Sequence, residues 1–137
     1  MIDFNVNLWA VLLAAVINMV VGATWYSPVL FGKPWTALMG GDKKLKELAG
    51  NENRGYMVTM VGALVLNFLL AALIGTLNVT GVADALWLGL LLWVGFVAIP
   101  SMSHVVFSGQ SWKLWVINES YYLVVLIVNS LLFVLWP

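Results

Sequence analysis

Four long apolar stretches, separated by short polar segments, constrain this chain more than any other feature. They cover residues 8–26, 56–77, 85–107 and 114–136 of a 137-residue chain. Each holds about 20 residues, and a helix of that length, rising about 1.5 Å per residue, crosses a hydrocarbon core of about 30 Å. No stretch shows the alternating polarity of a barrel strand, and backbone groups in lipid must be satisfied within the segment. The sequence therefore predicts an all-α membrane protein with four transmembrane helices in a single domain.

Composition and charge exclude several other classes of protein. Hydrophobic residues make up 63% of the chain and charged residues 9%, whereas soluble domains are about half apolar and a quarter charged. Six basic residues balance six acidic ones, so nothing favours nucleic-acid binding. The absence of cysteine excludes disulfides and thiolate chemistry. No catalytic motif is recognisable, so we expect a protein that is not an enzyme and that needs no cofactor or metal.

The basic residues lie in only two of the connections between the apolar stretches. The connection at 27–55 and the short one before residue 114 hold all of them: Lys33, Lys43, Lys44, Lys46, Arg54 and Lys113. The positive-inside rule predicts that both connections are cytoplasmic and that both termini lie outside. Within the long loop, the run from Asp42 to Gly50 predicts a short helix, with a solvated linker beside anionic lipid as the alternative.

Two local signals concern the third stretch. Asp84 is suited to be the N-cap residue of its helix. Pro100 removes a backbone donor and crowds the carbonyl of Phe96, which predicts a kink. Ser101 and Ser103 are placed to bond to the groups that the kink releases.

The chain contains a possible internal repeat. Residues 27–35 and 103–112 share Ser, Val, Phe, Gly and Trp in order, and residues 65–73 align with 127–135 without gaps. The pattern indicates a duplicated two-helix hairpin, although leucine-rich segments also align by chance. Both halves would enter the membrane from the same side, so the predicted pseudo-twofold axis runs along the membrane normal.

Polar and small residues form a stripe on one face of three predicted helices. The stripes are Ala14, Asn18 and Gly22; Asn67, Ala71, Gly75 and Asn78; and Asn118, Tyr122, Val125 and Asn129. Such stripes usually face other helices, where asparagines hydrogen-bond across the interface. We therefore interpret Asn67 and Asn129 as helix-packing residues. The alternative is that the stripes line a polar pathway.

Glu119 and His104 are the titratable side chains predicted to lie inside the membrane. Each falls one to two turns from the same side, so the two side chains are expected at a similar depth. A His–Glu pair there could bind a cation or a proton. The simpler alternative is that Glu119 reaches the interface or pairs with Lys113 or Lys33. The full candidate ligand, ion or proton site is His104, Glu119, Asn118, Asn18, Trp25 and Tyr26, although Trp25 and Tyr26 also suit interfacial anchoring.

Two stretches of this sequence resemble the signature of a known family. Residues 18–35 hold an asparagine, then Gly-x-x-Trp-Tyr-Ser-Pro, Leu-Phe-Gly and a tryptophan, and residues 117–121 read Ile-Asn-x-x-Tyr. The chain is similar in both to a small bacterial membrane family catalogued as a domain of unknown function (family 1761). The resemblance implies a four-helix protein of the bacterial inner membrane without a known activity. Glu119 departs from the family's pattern, which has small residues after the asparagine, and this weakens its case as a shared functional carboxylate.

These observations favour a small transporter or channel-like protein. Four helices enclose little space, so we expect a homo-oligomer, with a twofold dimer favoured. The alternative is a structural or accessory subunit that packs against other membrane subunits of a larger complex.

Overall fold

The computed structural model describes residues 1–49 and 52–137 and shows no strand in those ranges. Three continuous helices are long and apolar enough to cross a membrane: α1 (Leu8–Trp25), α4 (Glu52–Thr76) and α7 (Trp112–Leu135). A fourth span runs from Val82 to Ser108 and consists of α5 (Val82–Leu92), a π-helical segment π1 (Trp93–Ala98) and α6 (Ile99–Ser108). The predicted all-α fold with four membrane-spanning helices is therefore confirmed.

Two short helices lie between the first and second spans. These are α2 (Gly32–Leu38), which the sequence did not predict, and α3 (Asp42–Ala49), which begins at the predicted residue. Gly50, the expected end of that helix, lies outside the described residues, as does Asn51 in the predicted loop. We call the end of the bundle that carries α2, α3 and the connection from α6 to α7 the loop end, and the opposite end the terminal end.

Side-chain and glycine caps fix several helix ends. The Asn7 side chain accepts hydrogen bonds from the backbone N–H groups of Trp9 and Ala10, at 3.1 and 3.2 Å, so that α1 begins at Leu8. The expectation that Asp84 is an N-cap was wrong, because the cap of α5 is Gly81. Asp84 instead lies in the first turn, where a carboxylate faces the positive end of the helix dipole.

Helix α7 lies at the centre of the bundle and packs against α1, α4 and the third span. Its closest approach is to α5, where a Cβ added to Gly89 would stand 3.1 Å from the Cα of Ile127. Ala85, one turn away on α5, is fully buried. Small residues at this spacing let two membrane helices approach backbone to backbone, so the third and fourth spans form a close pair.

The apolar core lies between α1, α4 and α7. Its buried members are Ala10, Val11, Ala14, Leu70, Ala71, Ile74, Leu126 and Phe133. Most of these residues are in the half of the bundle nearest the terminal end. The same three helices therefore pack tightly in that half, and the cleft described below lies in the other.

The third span is irregular just before Pro100, where the sequence predicted a kink. The segment π1 ends at Ala98, and the Ser101 hydroxyl donates to the carbonyls of Val97 and Ala98, at 2.6 and 2.9 Å. Ser101 thus bonds to carbonyls near the proline, whereas the carbonyl that Pro100 was expected to crowd is that of Phe96. The predicted duplication stays a prediction. Only residues 109–111 join α6 to α7, so α2 and α3 have no counterpart in the second half.

Candidate functional site

A cleft of about 900 Å³ lies between α1, α4 and α7 in the loop half of the bundle, with α2 along its edge. Five aromatic side chains line it: Tyr26, Trp35, Tyr56, Tyr121 and Tyr122. Rings of this kind offer flat apolar faces together with hydroxyl or indole donors. The cleft therefore combines a large apolar surface with a few hydrogen-bonding groups, as small-molecule sites do.

The turn after α1 brings α2 back against the cleft. The backbone N–H of Phe31 donates to the carbonyl of Trp25 at 2.9 Å, and that of Gly32 donates to Ser27 at 2.8 Å. A Cβ at Gly32 would lie 2.6 Å from backbone atoms of the turn, so only glycine fits there. The Trp35 ring on α2 then packs edge-on against Tyr26, with the ring centres 5.2 Å apart.

Trp25 and Tyr26 connect the end of α1 to α7. The Trp25 indole donates to the carbonyl of Ile117 at 2.8 Å, and the Tyr26 hydroxyl donates to Oδ1 of Asn118 at 2.9 Å. The structure therefore brings together three of the predicted site residues. Interfacial anchoring alone does not describe Trp25 and Tyr26, because each bonds to a partner inside the bundle.

A hydrogen-bonded group of three asparagines, which we call the asparagine triad, lies at the inner end of the cleft: Asn18, Asn67 and Asn129. Of the three, Asn18 lines the cleft. Their exposed fractions are 4%, 0% and 0%. The Asn129 amide donates to Oδ1 of Asn18 at 2.7 Å and to Oδ1 of Asn67 at 2.9 Å, and the Asn67 amide donates to Oδ1 of Asn18 at 3.2 Å. The triad joins three helices, as expected of polar residues that pack membrane helices.

Some polar groups of the triad and its neighbours have no partner. In the described part of the chain, Oδ1 of Asn129 and the hydroxyl of Ser130 are buried without a hydrogen bond. Asn18 lines the cleft, and its Nδ2 group makes no hydrogen bond to any described residue. A donor at the inner end of an aromatic cleft is therefore available to a ligand.

Tyr121 fixes the position of Asn18. Its hydroxyl donates to the Asn18 carbonyl at 2.8 Å, and its ring packs over Gly22, where an added Cβ would be 3.4 Å from the hydroxyl oxygen. Together with the bonds of Trp25 and Tyr26, this contact means that residues 18–26 and 117–121 lie against each other.

Glu119 and His104 lie beside the cleft rather than in it. Neither is among its lining residues, and His104 instead lines a separate groove near Pro100. The two groups interact electrostatically, but no hydrogen bond or ion pair joins them within the described ranges. Those ranges also hold no ion pair between Glu119 and Lys113 or Lys33, and no group of three potential metal ligands. The His104–Glu119 site therefore stays a prediction. Neither residue lines the cleft, but Glu119 is close enough to the cleft residues Tyr26 and Tyr122 to interact with them electrostatically.

A second cleft, of about 370 Å³, lies at the terminal end. Its polar lining comes from the N-terminal segment and from the connection between α4 and α5: Asn5, Asn7, Asn78 and Thr80. The C-terminal end contributes Trp136 and Pro137. Ala71 and Phe133, each one helical turn from a triad asparagine, also line it. The two clefts therefore lie on opposite sides of the asparagine triad.

Several residues of the large cleft were not identified from the sequence. Trp35 comes from α2, Met39 is the C-cap residue of that helix, and Tyr56 and Thr59 come from the loop end of α4. Pro34, in the first turn of α2, is the one local signal that favours a helix start there. Nothing local to α4 shows that its first turns face α1 and α7.

The fold and the cleft define a multi-pass helical membrane protein with an aromatic cleft in one half of its bundle. The chain belongs to the family described as "Protein of unknown function (DUF1761)", whose model matches residues 9–134. No curated protein and no solved structure matches the chain. The two stretches that carry the family resemblance, residues 18–35 and 117–121, are those that meet along α1 and α7.

Proposed function

We propose that this protein is a small membrane transporter for an uncharged amphipathic molecule. The observation that carries the proposal is the aromatic cleft of about 900 Å³ between α1, α4 and α7, with the asparagine triad at its inner end. A site of that size accommodates a molecule with an apolar body and a hydrogen-bonding group.

The lining of the cleft favours an uncharged ligand. None of the described residues that line it carries a formal charge. Transfer of an unpaired charge into such a site costs several kcal/mol or more, whereas a hydroxyl or amide needs only a hydrogen-bond partner. Asn18, Thr59 and Asn118 offer such partners beside the rings.

The two clefts favour transport over binding alone. A protein that only binds needs one site, whereas here the triad separates a cleft at one end of the bundle from a cleft at the other. Each interhelical hydrogen bond in a membrane contributes about 0.6 kcal/mol, with a maximum near 1.7. A passing ligand offers the buried groups of Asn129 and Ser130 partners that they lack in this state.

One chain is sufficient to form the cleft, which removes the reason for requiring an oligomer. A homodimer stays part of the proposal only as an assembly of two chains that each contain a complete cleft. The mass of the complex in mild detergent tests it.

We also place the loop end in the cytoplasm, following the distribution of basic residues. The bacterial inner membrane is the location that the family resemblance implies.

Ligand binding in nanodiscs tests the ligand class. The probe is an NBD-labelled dodecyl glucoside, and energy transfer from the eight tryptophans reports its binding. We expect saturable transfer that unlabelled dodecyl glucoside displaces. Dodecyl sulfate and dodecyltrimethylammonium, at equal fractions of the lipid, should displace it far less.

A matched pair of variants locates the binding site. Ala23→Phe adds a ring inside the cleft, and Val20→Phe adds the same ring to a position on α1 that is 59% exposed and outside the cleft. Only Ala23→Phe should abolish saturable transfer. Transfer that rises linearly with probe, or that Ala23→Phe leaves unchanged, would contradict the proposed site. Copurification of another membrane protein with this chain in mild detergent would instead favour the alternative that the chain is an accessory subunit.

A further inference from the structure

The groove near Pro100 that His104 lines shares Tyr122 with the large cleft. This groove has a volume of about 320 Å³ and is lined by Leu66 of α4, by Phe96 and Val97 of π1, by residues of α6, and by Tyr122 of α7. The groove therefore lies between the second and third spans, and Tyr122 of the fourth span contributes to its lining.

The polarity of the groove changes with depth in the membrane. Ser101 and His104 lie seven and four residues before the end of α6 at Ser108, which is about 10 and 6 Å along the helix axis. Phe96 lies twelve residues before that end, or about 18 Å. The polar side chains of the groove therefore lie nearer the surface, and the apolar ones lie deeper.

Tyr122 connects the groove to the large cleft. Its side chain lines both cavities, and its ring centre lies 5.0 Å from that of Tyr121, which lines the cleft. Tyr122 is 39% exposed, so neighbouring side chains do not enclose it. Tyr122 therefore lies between the two cavities, and a tyrosine side chain changes rotamer without movement of its helix.

We propose that the groove is a lateral entrance through which a single-chain, uncharged amphiphile passes from the loop-side leaflet into the large cleft, with Tyr122 as the gate. The inference rests on the proposed function. A lipid-like molecule in that leaflet has its head near the surface and its chain toward the bilayer centre. The groove matches that arrangement, with Ser101 and His104 beside the head and Leu66 and Phe96 beside the chain.

The π-helical segment π1 forms one side of the groove. It contributes Phe96 and Val97, and π-helical turns are frequent at functional sites. His104 is the one side chain of the groove that is a common metal ligand, and a single ligand is too few for a metal site. It also occupies only a short length of the two helices, whereas a partner helix would pack along a long stripe of small residues. An amphiphile is therefore the occupant that these residues favour.

Site-specific cross-linking in nanodiscs tests the entrance. Phe96→p-benzoylphenylalanine places a photoreactive group in the groove. Phe107→p-benzoylphenylalanine places the same group on the same span, outside the groove, where the native ring is 89% exposed. With NBD-labelled dodecyl glucoside as the probe, cross-linking at position 96 should be saturable and suppressed by unlabelled dodecyl glucoside. Cross-linking at position 107 should rise linearly with probe, as for bulk lipid.

A variant whose side chain fills the groove tests whether the probe reaches the cleft through it. Leu66→Trp, combined with the reporter at position 96, should abolish saturable cross-linking and slow entry of the probe into the cleft. It should leave equilibrium binding unchanged, because the cleft itself is intact. Val61→Trp is the matched control, since Val61 is an exposed residue of α4 that does not line the groove.

The outcomes separate this inference from the proposed function. Saturable binding in the cleft with only linear cross-linking at position 96 would overturn the entrance and leave the proposed function standing. Saturable cross-linking at position 96 with no binding in the cleft would overturn both, since the groove would then lead to no site. Equal entry rates in Leu66→Trp and Val61→Trp would also overturn the entrance.

Discussion

Three asparagine side chains, one each from α1, α4 and α7, form a shared hydrogen-bond network in the described part of the bundle. Oδ1 of Asn18 accepts from both partners, so two of the three bonds in the network share one oxygen atom. Lipid offers no hydrogen-bond partner, so these side chains bond mainly to one another. Such bonds are weak enough individually to be exchanged, as the proposed transport requires.

Replacement of one member of the triad measures its contribution to stability. Asn67→Leu removes the donor to Asn18 and an acceptor for Asn129, and we expect a loss of about 1–2 kcal/mol in the free energy of unfolding. Unfolding in mixed micelles with increasing SDS is the measurement. Asn53→Leu, an exposed position on the same helix, is the control. Equal losses in the two variants would show that the triad does not hold the bundle together.

For Ser130 we expect no loss in the free energy of unfolding on replacement. Its hydroxyl is buried without a hydrogen bond in the described ranges, so Ser130→Ala removes an unsatisfied group and should leave stability unchanged or raise it by up to about 1 kcal/mol. Ser101→Ala is the contrasting serine, because Ser101 bonds to two carbonyls and accepts from the Trp115 indole at 2.8 Å. The same unfolding experiment should show a loss for Ser101→Ala. A larger loss at Ser130 would mean that its hydroxyl has a partner in the membrane.

At this scale the sequence indicated which residues matter but not their partners. The cost of polar groups in lipid singled out Asn18, Asn67 and Asn129. It assigned Asn18 to the group of Trp25 and Asn118, whereas the structure places it in contact with Asn67 and Asn129 as well as along the cleft. Helical periodicity places a residue on a face, but only the packing of the helices decides which faces meet.

Among the elements, the turn between α1 and α2 has the greatest influence on the cleft. Its backbone hydrogen bonds return the chain to the bundle within a few residues, and the close approach at Gly32 sets where α2 begins. The position of α2 in turn sets that of Trp35, which forms one edge of the cleft.

Gly32→Ala should therefore displace α2. The added methyl group meets backbone atoms at 2.6 Å, and a backbone contact is not relieved by a rotamer change. We expect weaker binding of the dodecyl glucoside probe and a change in near-ultraviolet circular dichroism as Trp35 leaves Tyr26. In Gly62→Ala the methyl group meets nothing within 4 Å, so binding should persist. Unchanged binding and spectrum in Gly32→Ala would contradict this role for the turn.

The elements differ in how far the sequence predicted them. The four spans were predicted because apolar length is a property of consecutive residues. The irregularity near Pro100 was predicted as well, but the preceding π-helical segment was not, since its hydrogen-bond pattern has no local signature. Asp84 was misassigned as a cap because Asp suits both the cap and the first turn. Helix α2 is too short for its periodicity to be recognised.

For the whole molecule, the arrangement of the two clefts matters more than any one residue. Most of the apolar core of α1, α4 and α7 lies in the terminal half, and the loop half holds the large cleft. Under the proposed function, this asymmetry is that of a transporter open toward the side with the basic loops. The orientation of the chain therefore decides from which side of the membrane the cleft is reached.

Labelling of single cysteines tests that orientation. The chain has no cysteine, so each introduced thiol is unique. With a membrane-impermeant maleimide on spheroplasts, we expect Thr80→Cys to react and Lys113→Cys to react only after permeabilisation. Lys44→Cys is a second site on the loop end. The reverse pattern would place the large cleft on the outer side.

Transbilayer movement of the probe tests the central claim most directly. In proteoliposomes with NBD-labelled dodecyl glucoside in both leaflets, dithionite reduces the label in the outer leaflet alone. With wild-type protein, and with Val20→Phe, probe from the inner leaflet should move outward, so that fluorescence falls well below the plateau of protein-free vesicles. With Ala23→Phe, the cleft is filled and fluorescence should remain at that plateau. The claim is contradicted if wild-type vesicles also remain at the plateau, or if Ala23→Phe behaves like wild type.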